Sequence, residues 1–441
     1  MNFMDVILLA AGKSSRMDPI SDKNLLEFCG IPLITHQVRA LKKAGFEHIV
    51  VVGNQENLEG LEKALEHESD VDFVIQENTQ LGMAGGVLSG SKKLKSDVVM
   101  IMSTNDVFEG QLFHDLLETA KKSACEGVIA GKKVMSYFPG GYLKLNAENF
   151  ITSIIEKPGA GNEPSDTVNL VCHIYKRFSE FKELLFSSES QRDDLYEVAL
   201  DNYMQKGAQM KLFKYEGYWQ PIKYPWHLLP LMLHFLGQQE HFISEKATIA
   251  ETAVIRGKVI IEEGVKVFDH AVIQGPCYIG ANSVIANNAL VRESTIGRNS
   301  VVGFSTEVAR SYVHHDVWFH SNYIGDSVLD SNVSFGAGTV LGNLRFDEEN
   351  IKVNVKGERM DTGLNKLGAI IGSGTRIGIN SSVNPGIRIG RRVSICGVTN
   401  VDRDIPDNMF VTGHTELTMT ENKLNADMRK RDAIMNSLQS L

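Results

Sequence analysis

The residues best suited to chemistry form a loop of mostly small side chains close to the N-terminus. The loop consists of Leu9, Ala10, Ala11, Gly12, Lys13, Ser14 and Ser15. Small side chains let backbone N–H groups approach an anion closely, and Arg16 and Lys23 add positive charge at the same place. The pattern therefore predicts a phosphate-binding loop. An ordinary turn between a strand and a helix is the alternative, because a Gly/Ser loop alone is a weak signal.

The segments that must position this loop alternate between strand-like and helix-like patterns. The apolar run 4–9 is typical of a strand buried in a parallel sheet. Strands are predicted over 48–53, 71–76 and 97–103, and helices over 33–43, 58–65, 84–94 and 226–235. Such alternation indicates βαβ units on a mostly parallel sheet, with ligands beyond the carboxyl ends of the strands.

Two groups of polar residues follow later strands of this predicted sheet. Gln76 ends the run 71–76, and Gly82 and Met83 come shortly after it. A glutamine amide offers a donor and an acceptor to a pyrimidine edge, and glycine allows a base to lie against the backbone. Asp106 follows the apolar run 98–102, where a helix N-cap or a turn residue is the alternative to a chemical role.

Together these motifs resemble the sugar-1-phosphate nucleotidylyltransferases, whose first strand ends in a Leu-Ala-Ala-Gly loop with Arg and Met, followed by a Lys. The resemblance implies an α/β Rossmann-like domain in which residues 9–15, Gln76, Gly82 and Met83 bind a nucleoside triphosphate. It also implies that Arg16, Lys23 and Asp106 are catalytic. Asp106 is then the carboxylate that holds Mg²⁺ against the triphosphate.

The same resemblance extends to the sugar side of the reaction. Glu156-Lys157 stands in a Glu-Lys-Pro motif, which implies that Glu156 accepts hydrogen bonds from sugar hydroxyls and Lys157 pairs with the sugar phosphate. Asn169 matches an asparagine that contacts the sugar. The implied reaction is in-line attack of a sugar 1-phosphate on the α-phosphorus of the triphosphate, with release of pyrophosphate.

One motif departs from the family pattern. Relatives commonly carry Trp-x-Asp near the end of the domain, where the Asp is a second metal ligand, but this chain has Trp219, Gln220 and Pro221. Proline has no side-chain ligand atom, and a neutral amide is a poorer partner for Mg²⁺ than a carboxylate. Loss of nucleotidyl transfer is therefore one open alternative.

The C-terminal half repeats an aliphatic residue every six positions, from 243 to 291 and again from 371 to 401. In such a repeat each aliphatic side chain stacks inside a triangular coil. This half resembles the left-handed parallel β-helix of the hexapeptide acyltransferases. The resemblance implies a homotrimer.

The repeat is broken by the segment 320–326, which is followed by Asn332, the run 336–339 and Asn343. This stretch resembles the acetyltransferase half of bifunctional N-acetylglucosamine-1-phosphate uridylyltransferases, in particular their archaeal-type members. It implies that His320 is the general base that takes a proton from the amine of glucosamine 1-phosphate, since imidazole exchanges protons near neutral pH. Tyr323 and Asn343 would contact the amino sugar and Arg292 its phosphate. Acetyl-CoA, the co-substrate, would lie along the coils at Ala369.

The totals agree with small-molecule substrates. The 441 residues carry a net charge of −9, which argues against binding nucleic acid or a membrane surface. Five scattered cysteines without CxxC spacing, and no apolar run of about twenty residues, predict a cytoplasmic protein. We predict a nucleotidyltransferase domain over 1–235, a linker over 236–242, the β-helix over 243–410, and a tail with an amphipathic helix over 411–441.

The sequence thus predicts synthesis of a sugar nucleotide, with UTP or dTTP as donor and N-acetylglucosamine 1-phosphate as acceptor. Two other functions stay open. One is a nucleotidylyltransferase for glucose or mannose 1-phosphate with a non-catalytic, trimerising β-helix. The other is an acyltransferase with a degenerate nucleotide-binding domain. UTP and dTTP present similar pyrimidine edges to Gln76, and the pairing of trimers into hexamers is also undetermined.

Overall fold

The computed structural model describes residues 4–413, 419–421 and 435. The amphipathic helix predicted within 411–441 falls outside the described residues except for Met435. It therefore stays a prediction, as do the bounds of the four predicted segments.

The N-terminal half is built on one nine-stranded sheet with helices on both faces, which confirms the predicted α/β class. Its 13 strands are β1 (Asp5–Leu9), β2 (Glu27–Phe28), β3 (Ile31–Pro32), β4 (His48–Gly53), β5 (Val71–Ile75), β6 (Val99–Ser103), β7 (Asp106–Phe108), β8 (Gly127–Lys133), β9 (Gly141–Leu145), β10 (Phe150–Glu156), β11 (Thr167–Tyr175), β12 (Met210–Lys214) and β13 (Trp219–Pro221). Its helices are α1 (Leu33–Lys43), α2 (Leu58–Ala64), α3 (Gly82–Gly90), α4 (Gln111–Lys122), α5 (Phe178–Ser187), α6 (Leu195–Gln205) and α7 (Leu228–Gln238).

The large sheet has the strand order β5-β4-β1-β6-β11-β8-β12-β10-β9. Strands β5, β4, β1 and β6 are parallel, as the βαβ pattern predicted, while β11 runs antiparallel to β6 and β8. The carboxyl ends of β1 and β6 therefore lie side by side, and these are the ends from which the phosphate loop and Asp106 emerge. Strands β7 and β13 form a separate antiparallel pair beside that edge.

Helix α2 ends one residue before the predicted bound, at Ala64, and two other helices differ by more. Helix α3 begins at Gly82 and ends at Gly90, after which Ser91–Lys93 forms a 3₁₀ turn. Helix α7 begins at Leu228 because Pro225–His227 first forms a 3₁₀ turn, and it continues to Gln238. The helix thus occupies the first part of the predicted linker.

The C-terminal half is a parallel β-helix with three faces, as the period of six predicted. The strands of the first face are Phe242–Ile243, Val259–Ile261, Cys277–Ile279, Thr295–Ile296, Tyr312–Val313, Val328–Leu329, Ile370–Ile371 and Arg388–Ile389. Those of the second are Thr248–Ile249, Lys266–Val267, Val284–Ile285, Val301–Val302, Ser334–Phe335, Arg376–Ile377, Ser394–Ile395 and Phe410–Val411. Those of the third are Val254–Arg256, Val272–Gln274, Leu290–Arg292, Glu307–Ala309, Tyr323–Gly325, Val340–Leu341, Ser382–Val383 and Asn400–Val401.

The aliphatic residue of each repeat points inward and stacks on its equivalent in the next coil. Ile261, for example, pairs with Ile279, and both are fully buried in one continuous interior cluster. Several corners place asparagine at positive φ, as at Asn282 and Asn380, a conformation that asparagine tolerates better than most residues. One insertion leaves the coils after Leu341 and forms the hairpin Lys352–Val355 and Glu358–Asp361.

The two halves pack against each other through the outer surface of the first face. The ring of Tyr312 packs against that of Phe28 in a tilted arrangement, with centroids 5.4 Å apart, and its hydroxyl donates a hydrogen bond to the carbonyl of Glu27 at 2.9 Å. Phe28 in turn stacks on Phe235 of α7 at 5.0 Å. All three rings are buried, so each half completes part of the other's core.

Two further properties bear on the sequence predictions. None of the helices in the described part of the chain is long and apolar enough to cross a membrane. The five cysteines, which all lie in the described part, are free thiols.

Candidate active sites

A cleft of about 500 Å³ opens at the carboxyl ends of β1 and β6. It contains most of the residues predicted to bind the nucleotide and the sugar phosphate. These are Leu9, Ala11, Gly12, Lys13, Arg16, Gln76, Gly82, Met83, Asp106, Glu156, Lys157 and Asn169. Residues separated by up to 160 positions in the chain are therefore brought to one surface.

Four predicted residues do not line this cleft. Ala10 is buried in the sheet's core, and Lys23 is buried behind the cleft wall. Ser14 and Ser15 instead line a neighbouring cavity of about 430 Å³, which also contains Arg391 of the β-helix. The phosphate loop thus borders two cavities, and of its residues only Lys13 lines both.

The phosphate loop has its carbonyl groups bonded to the scaffold. Thr104 donates to the carbonyl of Leu9 at 3.1 Å, Asn57 to that of Ala10 at 2.9 Å, and Asn54 to that of Ala11 at 2.9 Å. Within the part of the chain that the structure describes, the N–H groups of residues 12–16 have no hydrogen-bond partner. Consecutive free N–H groups are able to form an anion-binding concavity, so the backbone is compatible with the phosphate-binding role, which stays a prediction.

We name the base, phosphate and sugar ends of the cleft after the substrate parts that the sequence predicts they bind. The base end is formed by Gln76 and the start of α3. The side-chain amide nitrogen of Gln76 donates to the carbonyls of Gly82 at 2.8 Å and Asn78 at 3.1 Å. Gly82 has φ +51°, and a Cβ there would collide with the carboxylate of Asp193. The Gln76 amide group is thus held in place by backbone, and its carbonyl oxygen remains as an acceptor.

The phosphate end is organised around Asp106. The indole nitrogen of Trp219 donates to its Oδ1 at 2.7 Å, and Pro221 stands directly opposite it in the β7–β13 pair. Burial raises the pKa of Asp106, although the indole hydrogen bond and the charges of Lys223 and Lys23 act in the other direction. Gln220, considered as a second ligand, is not in the cleft, because its amide bonds the carbonyl of Pro221.

Lys23 has both of its hydrogen bonds inside the protein. Its ammonium donates to the side chain of Asn105 and to the carbonyl of Ile222, the latter at 3.2 Å. Burial lowers its pKa to about 8. The contacts of Lys23 therefore connect the loop that follows residue 16 to Asn105 and Ile222. The side chain of Lys23 does not line the cleft.

The donor set at Asp106 can hold Mg²⁺ only together with a substrate. In the described ranges, no three or more His, Cys, Asp or Glu side chains converge as a metal site. Protein-bound Mg²⁺ commonly takes one or two carboxylates plus substrate phosphates and water. One carboxylate beside a phosphate loop fits that mode, with the remaining ligands coming from the triphosphate and water.

The sugar end combines Glu156, Lys157 and Asn169. Lys157 forms an ion pair with Glu156 at 3.0 Å, and the carbonyl oxygen of Asn169 accepts from Nε2 of His173 at 2.8 Å. The amide nitrogen of Asn169 is thereby left for a ligand. Burial, with the charges of Glu156, Asp194 and Asp193, raises the pKa of Glu197 to about 7. Glu197 also lines the cleft, so this end holds a carboxyl group that can donate as well as accept near neutral pH.

A second group of predicted residues lies on the β-helix. Asn343 donates to the hydroxyl of Tyr323 at 3.2 Å and to Asp326 at 2.5 Å, while Arg310 forms a two-pronged ion pair with Asp326. His320 is exposed at the corner between the second and third faces. The structure thus brings the side chains of Tyr323 and Asn343 together. Tyr323 follows His320 by three positions in the chain.

Two predictions for the β-helix site meet difficulties in this chain. Arg292 pairs through two nitrogens with Glu307, at 2.9 and 2.7 Å, so a phosphate would have to compete with that carboxylate. Ala369 is fully buried and its side chain belongs to the interior cluster. Contact with acetyl-CoA at this coil would therefore have to come from its neighbours, because an inward-facing residue presents no surface.

Sequence reasoning missed several cleft residues, of which Lys223 is the most informative. Its ammonium donates to the carbonyl of Pro139 at 2.9 Å and lies 3.8 Å from the centre of the Phe138 ring. Asp193 and Glu197 were also missed. The available signal for Lys223 was its position two residues after Pro221, since Pro221 occupies the place of the second metal ligand in relatives.

Comparison with known proteins gives two family matches. Residues 6–251 match the MobA-like NTP transferase domain, and residues 238–346 match the GMPPB C-terminal domain. The chain is 35% identical over 414 residues to a bifunctional sugar-1-phosphate nucleotidylyltransferase/acetyltransferase of Sulfurisphaera tokodaii, covering 91% of this chain and 98% of the relative. It is 32% identical over 434 residues to the bifunctional protein GlmU of Methanococcus maripaludis, covering 95% and 100%. It is 30% identical over 430 residues to GlmU of Methanocaldococcus jannaschii, covering 94% and 98%.

Proposed function

Because the chain belongs to the family of bifunctional sugar-1-phosphate nucleotidylyltransferase/acetyltransferases, and is thus a transferase, we propose a specific pair of reactions for it. The β-helix acetylates glucosamine 1-phosphate with acetyl-CoA. The N-terminal cleft then transfers a nucleotidyl group from UTP or dTTP to the resulting N-acetylglucosamine 1-phosphate. The product is a sugar nucleotide, and pyrophosphate is released.

The observation that carries this proposal is the set of groups that line one cleft. Gln76, the phosphate-loop residues Gly12, Lys13 and Arg16 with their free N–H groups, Asp106, Lys157 and Glu156 all border it. These groups correspond to the base and phosphates of a nucleoside triphosphate and to a sugar phosphate. Two anions held in line need no covalent enzyme intermediate.

In the proposed reaction, a phosphate oxygen of the sugar 1-phosphate bonds to the α-phosphorus, and the bond from that phosphorus to the oxygen of the leaving pyrophosphate breaks. The free N–H groups bind the triphosphate, and Arg16 and Lys157 neutralise the charge where the two anions meet. Glu156 and Asn169 orient the sugar. Lys23 stabilises the loop that carries these groups.

Mg²⁺ belongs to this proposal as the metal cofactor. Asp106 would hold it, and the bound ion would supply positive charge to the triphosphate. The protein's own contribution is to keep the carboxylate fixed, which the hydrogen bond from Trp219 does.

In the β-helix, the amine of glucosamine 1-phosphate attacks the thioester carbon of acetyl-CoA. His320 takes a proton from the amine, an amide bond forms, and coenzyme A leaves as the thiol. Tyr323 and Asn343 contact the amino sugar. The exposed position of His320 supports this role, because a second substrate as large as acetyl-CoA has to reach it.

We propose that the protein is a cytoplasmic homotrimer assembled through the β-helix. Phe304, Ile379 and Val398 expose 57%, 55% and 62% of their surfaces close to the corner that carries His320. Apolar residues exposed together in a soluble chain commonly mark an interface. Mass determination in solution tests the assembly.

Two parallel assays test the proposed reactions. Pyrophosphate release is measured with Mg²⁺, UTP or dTTP and N-acetylglucosamine, glucose or mannose 1-phosphate. Thiol release is measured with acetyl-CoA and glucosamine 1-phosphate. Activity in both assays is expected. Release of pyrophosphate without release of thiol would show that the β-helix is not an acetyltransferase under these conditions and would leave it a structural role.

The second candidate function is an acetyltransferase with a nucleotide-binding but inactive N-terminal half. The observation that favours it is Pro221 opposite Asp106, where a carboxylate would provide a second metal ligand. Thiol release without pyrophosphate, under every nucleotide and sugar phosphate tried, would select this function.

A further inference from the structure

The segment from Trp219 to His227 organises the phosphate end of the cleft. Trp219 binds Asp106, the carbonyl of Ile222 accepts from Lys23, and the N–H of Ile222 donates to the carbonyl of Asn105 at 2.7 Å. Lys223 follows immediately. The same short segment thus fixes the carboxylate, removes one lysine from the cleft and inserts another.

Residue 221 has a defined relationship to Asp106. The two are paired directly opposite each other in adjacent antiparallel strands, and the side chains of such a pair lie on the same face about 4.5–5.5 Å apart. A carboxylate at 221 would therefore stand beside Asp106 and help to hold a cation. This chain has proline there and a fixed ammonium two residues later.

The ammonium of Lys223 faces the cleft with binding capacity to spare. It donates one hydrogen bond, to Pro139, and rests on the ring of Phe138. A lysine ammonium has three donors. At least one N–H is thus available to a ligand in the cleft, and the lysine's position is already fixed before the ligand binds.

Lys223 lines the same cleft as the residues predicted to bind both substrates. Arg16 and Asp106 are predicted to contact the triphosphate and Glu156 and Lys157 the sugar phosphate, and all of them border this cleft. The charges of these four residues also act on the ammonium of Lys223. Two phosphate groups that approach each other there repel, and a fixed cation between them reduces that repulsion.

From this arrangement we propose that Lys223 is a further catalytic residue of nucleotidyl transfer, whose ammonium binds the phosphates at the junction of nucleotide and sugar phosphate. Lys23 has a structural role instead, because both of its contacts are internal. The inference rests on the proposed nucleotidyl transfer for its catalytic part. The phosphate-binding part stands independently of turnover.

The test compares the full-length wild type with three variants, two at Lys223 and one at Lys132. Lys223→Ala removes the ammonium, and Lys223→Arg restores a cation. Lys132→Ala is the matched control, because Lys132 also donates to a carbonyl, that of Gly217 at 2.8 Å, and also lies over a ring, that of Tyr215, but outside the cleft. Acetyl transfer by each variant reports whether the fold is intact.

The first readout is binding of inorganic pyrophosphate, by calorimetry, in a buffer containing EDTA. We expect Lys223→Ala to bind about 10-fold or more weakly, the usual effect of losing a charged hydrogen bond. Lys223→Arg should recover most of the affinity, and Lys132→Ala should bind as the wild type does. Equal affinity in wild type and Lys223→Ala would overturn the inference.

The second readout is pyrophosphate release, analysed as kcat and KM. We expect Lys223→Ala to lower kcat, since the ammonium acts where the reacting phosphates meet. If the wild type releases no pyrophosphate but its binding of the anion depends on Lys223, the proposed function fails while the binding site stands. If the wild type turns over and Lys223→Ala matches it in kcat and KM, the catalytic assignment is wrong.

Discussion

The amide nitrogen and the hydroxyl of Ser21 both donate to the same carboxylate oxygen of Asp330, at 2.9 and 2.5 Å. Ser21 lies between the phosphate loop and Lys23, whereas Asp330 is a buried residue of the β-helix. Arg391 adds contacts to the same loop, donating to Asp18 at 2.9 Å and to the carbonyl of Ile20 at 3.2 Å. The loop that leads from Arg16 to Lys23 is therefore held by the opposite half of the chain.

Replacing Asp330 should impair nucleotidyl transfer from a distance. Asp330→Ala leaves two donors of Ser21 without an acceptor, and the cost falls toward the lower end of the about 1–3 kcal/mol of a buried group because Ser21 is half-buried. We expect a lower melting temperature and a reduced kcat/KM for pyrophosphate release. Arg403→Ala, which removes an exposed ion pair with Asp402, is the control and should change neither. Wild-type values in Asp330→Ala would show that the contact does not support the cleft.

The same contact should be sensitive to acid. Burial alone would raise the pKa of Asp330, but the imidazole of His314, 3.6 Å away, and the hydrogen bonds from Ser21 outweigh burial and hold this pKa below the ordinary value of 3.8. A carboxylate with a depressed pKa stabilises the fold above its ordinary pKa, and that contribution is lost as pH falls through the depressed value. The difference in the free energy of unfolding between wild type and Asp330→Asn should thus be largest near neutral pH and shrink below about pH 4. Denaturant titrations at several pH values measure it, and a difference that grows on acidification would contradict this assignment.

Two glycines of the cleft should respond differently to the same substitution. A Cβ at Gly12 meets no atom of the protein within 4 Å, but it would add bulk at a residue that carries one of the free N–H groups of the phosphate loop. Gly12→Ala should therefore melt like the wild type and bind nucleotide more weakly. Gly82→Ala should lower the melting temperature, because residue 82 has positive φ and a Cβ there collides with Asp193. Thermal denaturation and nucleotide titration of both variants separate the two effects, and a destabilised Gly12→Ala would be the unexpected result.

The imidazole of His320 should be dispensable for everything except acetyl transfer. His320→Ala removes the proposed general base, a loss of about 10²- to 10⁴-fold in the rate of thiol release. Pyrophosphate release should stay at the wild-type rate, as should the melting temperature, because the side chain is exposed. His270→Ala, another exposed histidine of the β-helix, is the control. Retained thiol release in His320→Ala would remove this residue from the mechanism.

The sequence predicted the scaffold well because local patterns determine it. The period of six identified the inward residues of the β-helix, such as Ile261 and Ile279, since each coil repeats the same environment. Helix α1 and strand β4 begin and end at the predicted residues. Helix α7 ends later than predicted because the buried Leu236 continues its apolar face. Gln238 adds a further helical residue, although its side chain is exposed and does not belong to the core.

The direction of individual cleft side chains was not predictable in the same way. Lys23 is turned away from the cleft by the carbonyl of Ile222, which comes 199 residues later in the chain. Lys223 points into the cleft because the carbonyl of Pro139 and the ring of Phe138 hold its ammonium there. These two residues belong to a distant loop, and no sequence pattern connects that loop to Lys223. Motifs identify which strand ends carry chemistry. They do not show which of two lysines a distant carbonyl will engage.

The packing of the two halves also limits how the length of this protein can vary in evolution. The N-terminal half touches the first face at Tyr278, beside Gly30, and at Arg388, which donates to the carbonyl of Asp18. These two levels are five strand spacings apart in the sheet, or about 24 Å at roughly 4.8 Å per spacing. Gain or loss of one whole coil between them would keep every inward residue inward, yet it would shift one of the two contacts by a full spacing. Coils can therefore be added or removed without disturbing these contacts only outside the interval between Tyr278 and Arg388. Within that interval, the number of coils has to match the distance between the two contacts of the N-terminal half.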